Sequence, residues 1–363
     1  MDRQRGCGQT RRGLIRARGD TMQELDVFFR ECGPGWQPID HLAHVAADVF
    51  GTRVVPLMSP QQSKLNLFRN TVLAPGKARR AKRSALIMAI DPYDIVRFFR
   101  EPGRARNYNE VVVYICDSFY WRGFNRFSIF KHVDLVVRMR PFDQDIYEKH
   151  LGNRTIYAPF GADVLGLGGW QGTRDIDVLR VGRQPDEWDD DAESGARVEA
   201  AGLRFHGRPP QVEDAGEGMR LLFDYYRRSK LTLAHSNLIS AHVGTHTSLD
   251  YITARWTDAA ANGTIVAGHQ PTLDRGLTEM LWPEMLVYFD SRDARENIEQ
   301  LSEAQSNWTP EIARHNYLTA LKRLDWRWRL QDIAAFMGWS APGLDAAVAA
   351  VSQRIKEEET AQA

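Results

Sequence analysis

Apolar residues recur along the chain in two rhythms. Short apolar runs closed by glycine, proline or acidic residues predict buried strands. They are Glu24–Arg30, Ser84–Ile90, Glu110–Cys116, Val133–Arg138, Asp175–Arg183, Leu203–Arg208, Leu231–Asn237, Thr264–Ala267 and Met285–Asp290. Between them the spacing becomes helical. After Pro38, which suits the first turn of a helix, Leu42, Val45, Ala46 and Val49 share one side. Further helices are predicted near 142–150, over Glu217–Lys230, over Ser291–Leu301, where one face is rich in Asp and Glu, and through most of Thr309–Lys356. Strands alternating with helices predict α/β architecture with parallel sheets.

The alternation pauses at a glycine-rich stretch, Val164–Arg174, and then restarts. The predicted organisation is a basic, disordered segment over 1–21, a first Rossmann-like domain over 22–163, a linker over 164–174, a second Rossmann-like domain over 175–308, and C-terminal helices over 309–363. A chain of 363 residues, 43% of them hydrophobic, is long enough for two such cores. The halves share a layout and no sequence repeat. Residues 1–20 carry six arginines against Asp2 and Asp20 and lack the apolar core of a secretory signal. They are a disordered arm, or an extension upstream of Met22. Forty-seven basic and forty-seven acidic residues cancel, which removes the electrostatic case for a nucleic-acid binder. Cys7, Cys32 and Cys116 form neither a disulfide framework nor a zinc spacing, which favours a reducing, cytoplasmic compartment. No apolar run approaches the length of a membrane span.

The chemistry concentrates in the second half. Asp250 and Asp258 stand eight positions apart in a stretch whose Leu249, Ile252 and Trp256 fall at helical spacing. A helix through both would place the two carboxylates on one face. Asn262-Gly263 is a helix stop, and the polar loop Ser240–Ser248 precedes the stretch. That order suits a phosphate-bearing ligand at a helix N-terminus, with Asp258 on a ribose. On spacing alone, a solvated helix with two surface acids explains the pattern equally simply. In the first half, Asp91, Asp94 and Asp117 directly follow predicted strands, where ligand groups gather in open parallel sheets. Each is also a natural helix N-cap. His235, His242, His246 and His269 lie near the acidic stretch, but isolated histidines are more often structural than metal ligands. No metal is expected.

The stretch Asp250–Asp258 resembles the acidic donor-binding segment of GT-B glycosyltransferases: an acid, seven residues, an acid. Arg255-Trp-Thr-Asp258-Ala-Ala-Ala-Asn-Gly263 is similar to a bacterial subgroup reading Arg, two residues, acid, Ala-Leu-Ala-Ala-Gly. Both acids are Asp here, one methylene shorter than the usual Glu. Pro159-Phe-Gly161-Ala-Asp163 resembles the phrase that closes the first GT-B domain, and Gly182-Arg183 the diphosphate-facing end of a second-domain strand. The Lys that many relatives carry five residues later is Trp188. The resemblance implies a GT-B fold, two Rossmann-like domains facing a central cleft, with C-terminal helices packing back on the first. It implies a hexosyltransferase-type enzyme moving a sugar from a nucleotide-sugar donor to a carbohydrate, lipid-linked or small-molecule acceptor, with retention, and no cofactor. The implied donor site comprises Gly182, Arg183, Asn237, Gly244, Thr245, His246, Asp250, Arg255 and Asp258. Asp250 would also touch the transferring sugar. Asp117 and Asp91 lead the catalytic candidates, and the turn Cys32–Trp36 would face the cleft. A nucleotide-sugar epimerase and a non-catalytic two-domain binding protein are the alternatives.

Overall fold

A computed structural model describes residues 24–57, 83–101, 103–121, 127–141, 144–240, 250–271 and 280–361. The basic segments at 1–21 and 59–82 lie outside these. Residues 24–157 build a six-stranded parallel sheet in the order β2-β1-β3-β4-β5-β6. Its strands are β1 (Glu24–Phe29), β2 (Val54–Pro56), β3 (Arg83–Ala89), β4 (Glu110–Ile115), β5 (Leu135–Arg138) and β6 (Thr155–Tyr157). The central strands β3 and β4 are buried along almost their whole length, as their unbroken apolar runs predict. A second parallel sheet runs β11-β10-β9-β7-β8. It comprises β7 (Ile176–Arg180), β8 (Phe205–His206), β9 (Ser229–Leu233), β10 (Ile265–Gly268) and β11 (Leu286–Tyr288).

Helix α1 (Gln37–Val49) buries Leu42, Val45, Ala46 and Val49, the face that its spacing predicts. It lies between the sheets, packed on the first and touching the second-half helix α5 (Ala215–Arg228). Helices α2 (Pro92–Arg100), α3 (Gln144–Leu151) and α4 (Asp191–Ala200) complete the layers. The glycine-rich stretch after β6 is packed tightly. Gly169 N–H donates to Ala261 O at 3.0 Å, and a Cβ on Gly168 would lie 2.5 Å from the same oxygen. Arg174 is buried and donates to Asn262 O at 2.8 Å and Thr264 Oγ1 at 3.0 Å, pinning the joint to the second half.

Helices α7 (Ala294–Ser306), α8 (Pro310–Arg323), α9 (Trp326–Met337) and α10 (Pro342–Thr360) end the chain. The start of α9 returns to the first sheet, where Trp326 packs against Phe160 and Tyr114. Ala162 and Asp325 form a parallel bridge, and Arg327 bonds Asp163 at 2.8 Å, a carboxylate also held by His41 of α1 at 2.8 Å. These bonds tie α1, the joint and the C-terminal helices into one core that spans both sheets. No helix among the described residues is long and apolar enough to cross a membrane.

Candidate functional site

The carboxyl ends of both sheets face one cavity of 590 Å³, within the range of about 300–1,000 Å³ usual for small-molecule sites. From the first half come the turn Gly35–Gln37, the α1 residues Pro38 and Ile39, Cys116 and Asp117 past β4, Arg140 past β5, and Phe160. From the second half come Val181, Gly182 and Arg183 past β7, Met219 and Leu222 of α5, and Tyr251, Thr253, Ala254, Arg255 and Asp258. The walls are largely apolar, with a few charged groups among them.

Asp258 sits within the short helix α6 (Ala254–Ala260) and is 2% exposed. No hydrogen bond to its carboxylate is made among the described residues, so burial pushes its pKa well above the ordinary carboxylate range. Buried polar groups are nearly always satisfied, and this one opens into the cavity. Arg183 is exposed at the cavity rim and makes no ion pair among the described residues. Gly182 before it has φ +67°, and a Cβ there would lie 3.0 Å from Arg255 Cδ. Arg255 itself is committed. Its Nε donates to Thr253 Oγ1, Nη1 to Val181 O and Arg183 O, and Nη2 to His235 O. Two of these four bonds, to the carbonyls on either side of Gly182, brace the strand end that carries Gly182 and Arg183.

Asp117 is buried, and Arg140 lies 3.7 Å from its carboxylate. Burial raises its pKa to about 6, against the lowering pull of Arg140. Arg140 was not singled out from the sequence. Its signal was its place two residues beyond β5, at a strand end where ligand groups gather.

Several expectations need correction. The helix through Asp250 and Asp258 does not form. The helix starts at Ala254 with Thr253 as N-cap, and residues 250–253 are extended or irregular. Distant partners hold them so: Asn237 Oδ1 accepts from Tyr251 N at 2.9 Å, Asn237 N donates to Tyr251 O, and Arg140 Nη1 donates to Ile252 O at 2.8 Å. The two acids therefore share no helical face. Asp250, 2% exposed, and Asn237, fully buried, are not among the described residues lining the cavity. Asp91 caps α2, accepting from Tyr93 N at 2.7 Å, and pairs with Arg30; it does not line the cavity. Asp94 is buried behind it with Arg30 and Arg97. Trp188 is core, stacked on Phe289 with its Nε1 on Asn297. His235 and His269 bond one another at 3.0 Å. His242 and His246, like Gly244 and Thr245, lie outside the described residues.

Two parallel sheets with their strand ends on a shared cleft, and terminal helices crossing back, define the class of fold as GT-B. Comparison with known proteins agrees. Residues 179–335 match the family model described as glycosyl transferase-like. The structure of HepE from Anabaena in complex with UDP-glucose aligns with a TM-score of 0.52 at 12% identity, over 86% of this chain and 99% of its own. A glycosyltransferase from Rickettsia africae ESF-5 aligns with a TM-score of 0.53 at 8% identity, over 88% and 100% of the two chains. At these identities the likeness is one of fold. No curated protein matches the sequence.

Proposed function

We propose that the cavity takes a nucleotide-sugar donor, with the ribose hydroxyls on Asp258, the diphosphate at Arg183 and the sugar directed across the cleft towards Asp117. The observation that carries this reading is Asp258, a buried carboxylate that opens into the cavity with no protein hydrogen bond among the described residues. A diol supplies the two donors it lacks. In the transfer, the acceptor oxygen bonds to the anomeric carbon as the bond to the diphosphate oxygen breaks, and Arg183 meets the charge that develops on the leaving group. Asp250 takes no part in this reading.

The family resemblance supports retention, in which the acceptor proton leaves with the diphosphate. A specific observation favours a second reading, inversion: Asp117 lines the cavity with a pKa of about 6, poised to take that proton as general base. The anomeric configuration of the product, read by proton NMR, decides between them.

Arg183→Ala should weaken nucleoside diphosphate binding about tenfold by calorimetry, since one charge-assisted contact is worth roughly 1.5 kcal/mol or more. Folding stability should stay within about 0.5 kcal/mol, as the side chain is exposed and unpaired among the described residues. Affinity in the variant equal to wild type would remove Arg183 from the site. The reading places the Arg183 guanidinium, not a metal, on the diphosphate. Turnover should therefore survive EDTA, and a loss restored by a divalent ion would contradict it.

A further inference from the structure

Arg140 touches both halves of the site. It is 4% exposed, with its guanidinium carbon 4.0 Å from the centre of the Tyr251 ring and 5.1 Å from that of Phe160. Nη1 donates to Ile252 O at 2.8 Å, and Nη2 lies 3.7 Å from Asp117 Oδ1. Asp117 and Phe160 belong to the first half, Tyr251 and Ile252 to the second. Ile252 immediately precedes Thr253, the N-cap of the helix that carries Asp258. The same lead-in is held from its other side by Asn237. One planar side chain with a fork of donors therefore joins the acid of the first half to the backbone that aims the acid of the second. Among the described residues, the groups acting on Asp117 are Arg140, Cys116 and Asp91, and Arg140 is the one cation.

We propose that Arg140 is a positioning residue that fixes the Asp117 carboxylate and the lead-in to the Asp258 helix in a single geometry across the cleft. The proposal rests on the roles assigned above to Asp117 and Asp258. Its consequence is that the acceptor side and the donor side of the site are set together. A lysine keeps the charge near Asp117, but its compact ammonium lacks the rigid fork that also reaches Ile252 O. The two halves of the role are therefore separable by substitution.

The test compares wild type, Arg140→Lys and Arg140→Met with no ligand added. The Asp117 carboxyl is titrated by carbon-13 NMR of aspartate-labelled protein, with its resonance assigned from Asp117→Asn. Amide exchange is followed over 251–256. In Arg140→Met the Asp117 midpoint should rise by roughly one unit, and in Arg140→Lys it should stay near that of wild type. Exchange at Tyr251 should be about tenfold faster in both variants, since both lose the bond that helps to hold the lead-in. A folded Arg140→Met with either readout unchanged overturns the proposal. If Arg140→Met does not fold, wild-type exchange in Arg140→Lys overturns it, and faster exchange with an unmoved midpoint supports it. Neither readout involves nucleotide or turnover. Failure of the donor reading, seen as wild-type nucleotide affinity in Asp258→Ala, is thus distinguishable from failure here.

Discussion

Asp117→Asn should, on the inverting reading, lower kcat by about 10²–10⁴-fold, the usual contribution of a positioned general base, while leaving nucleoside diphosphate affinity unchanged. The amide preserves the shape of the side chain beside Arg140 but cannot take the acceptor proton. The pH dependence has a definite sign. Burial holds the Asp117 pKa at about 6, so the group is largely ionised at neutral pH and protonated in mild acid. Because kcat/KM reports groups of the free enzyme, its acidic limb should fall through about pH 6 in wild type and disappear in Asp117→Asn. Stopped assays across pH 4.5–8.5 check both points. Full kcat in the variant, with the limb intact, would show that Asp117 does not carry the proton.

Asp258→Ala should weaken nucleotide binding by roughly ten- to a hundredfold, because charge-assisted bonds to ribose hydroxyls worth roughly 1.5–3 kcal/mol are lost. Asp258→Asn should recover part of this, since its amide oxygen still accepts. The stability of the free protein should move the other way. A buried carboxylate without a partner among the described residues is a cost to the fold. Its folded pKa lies above the unfolded value, so between the two the native state binds more protons and stability falls as pH rises. Asp258→Asn should therefore be at least as stable as wild type, with an advantage that grows as pH rises above the unfolded pKa of about 4. Thermal unfolding between pH 4 and 8 measures this, and an Asp258→Asn protein less stable than wild type throughout would show that the carboxylate is structurally satisfied.

The elements that could be read from the sequence are those whose burial is fixed by local pattern. β3 and β4 are unbroken apolar runs, and the buried face of α1 repeats at helical spacing. Strand β2 (Val54–Pro56) carries little signal, being a short edge strand that ends in proline. The stretch over 250–258 was misread because Ile252 and Trp256 are both buried, as helical spacing requires, while the backbone at 251–252 bonds to Asn237 and Arg140, which are far away in sequence. Such tertiary competition leaves no trace in periodicity. Asp91 carried a stronger local signal than strand-end position, because Asp followed by Pro is a helix start, and it caps α2. Asp117 shares the strand-end rule and does reach the cavity, since no regular α-helix follows it directly. Arg140 lies just past a second buried arginine, Arg138, whose Nη1 bonds Arg140 O, and nothing in composition separates the structural member of the pair from the one at the site.

The central claim is sugar transfer from a nucleotide donor bound between the two halves. The most direct measurement follows a panel of nucleotide sugars by phosphorus and proton NMR with the wild-type protein, with and without simple sugar or alcohol acceptors. The account predicts that one donor is consumed, that nucleoside diphosphate and a glycosylated acceptor appear together in equal amounts, and that Asp258→Ala suppresses the reaction. A donor sugar epimerised without any acceptor, or nucleotide bound tightly with no donor turned over, would contradict it.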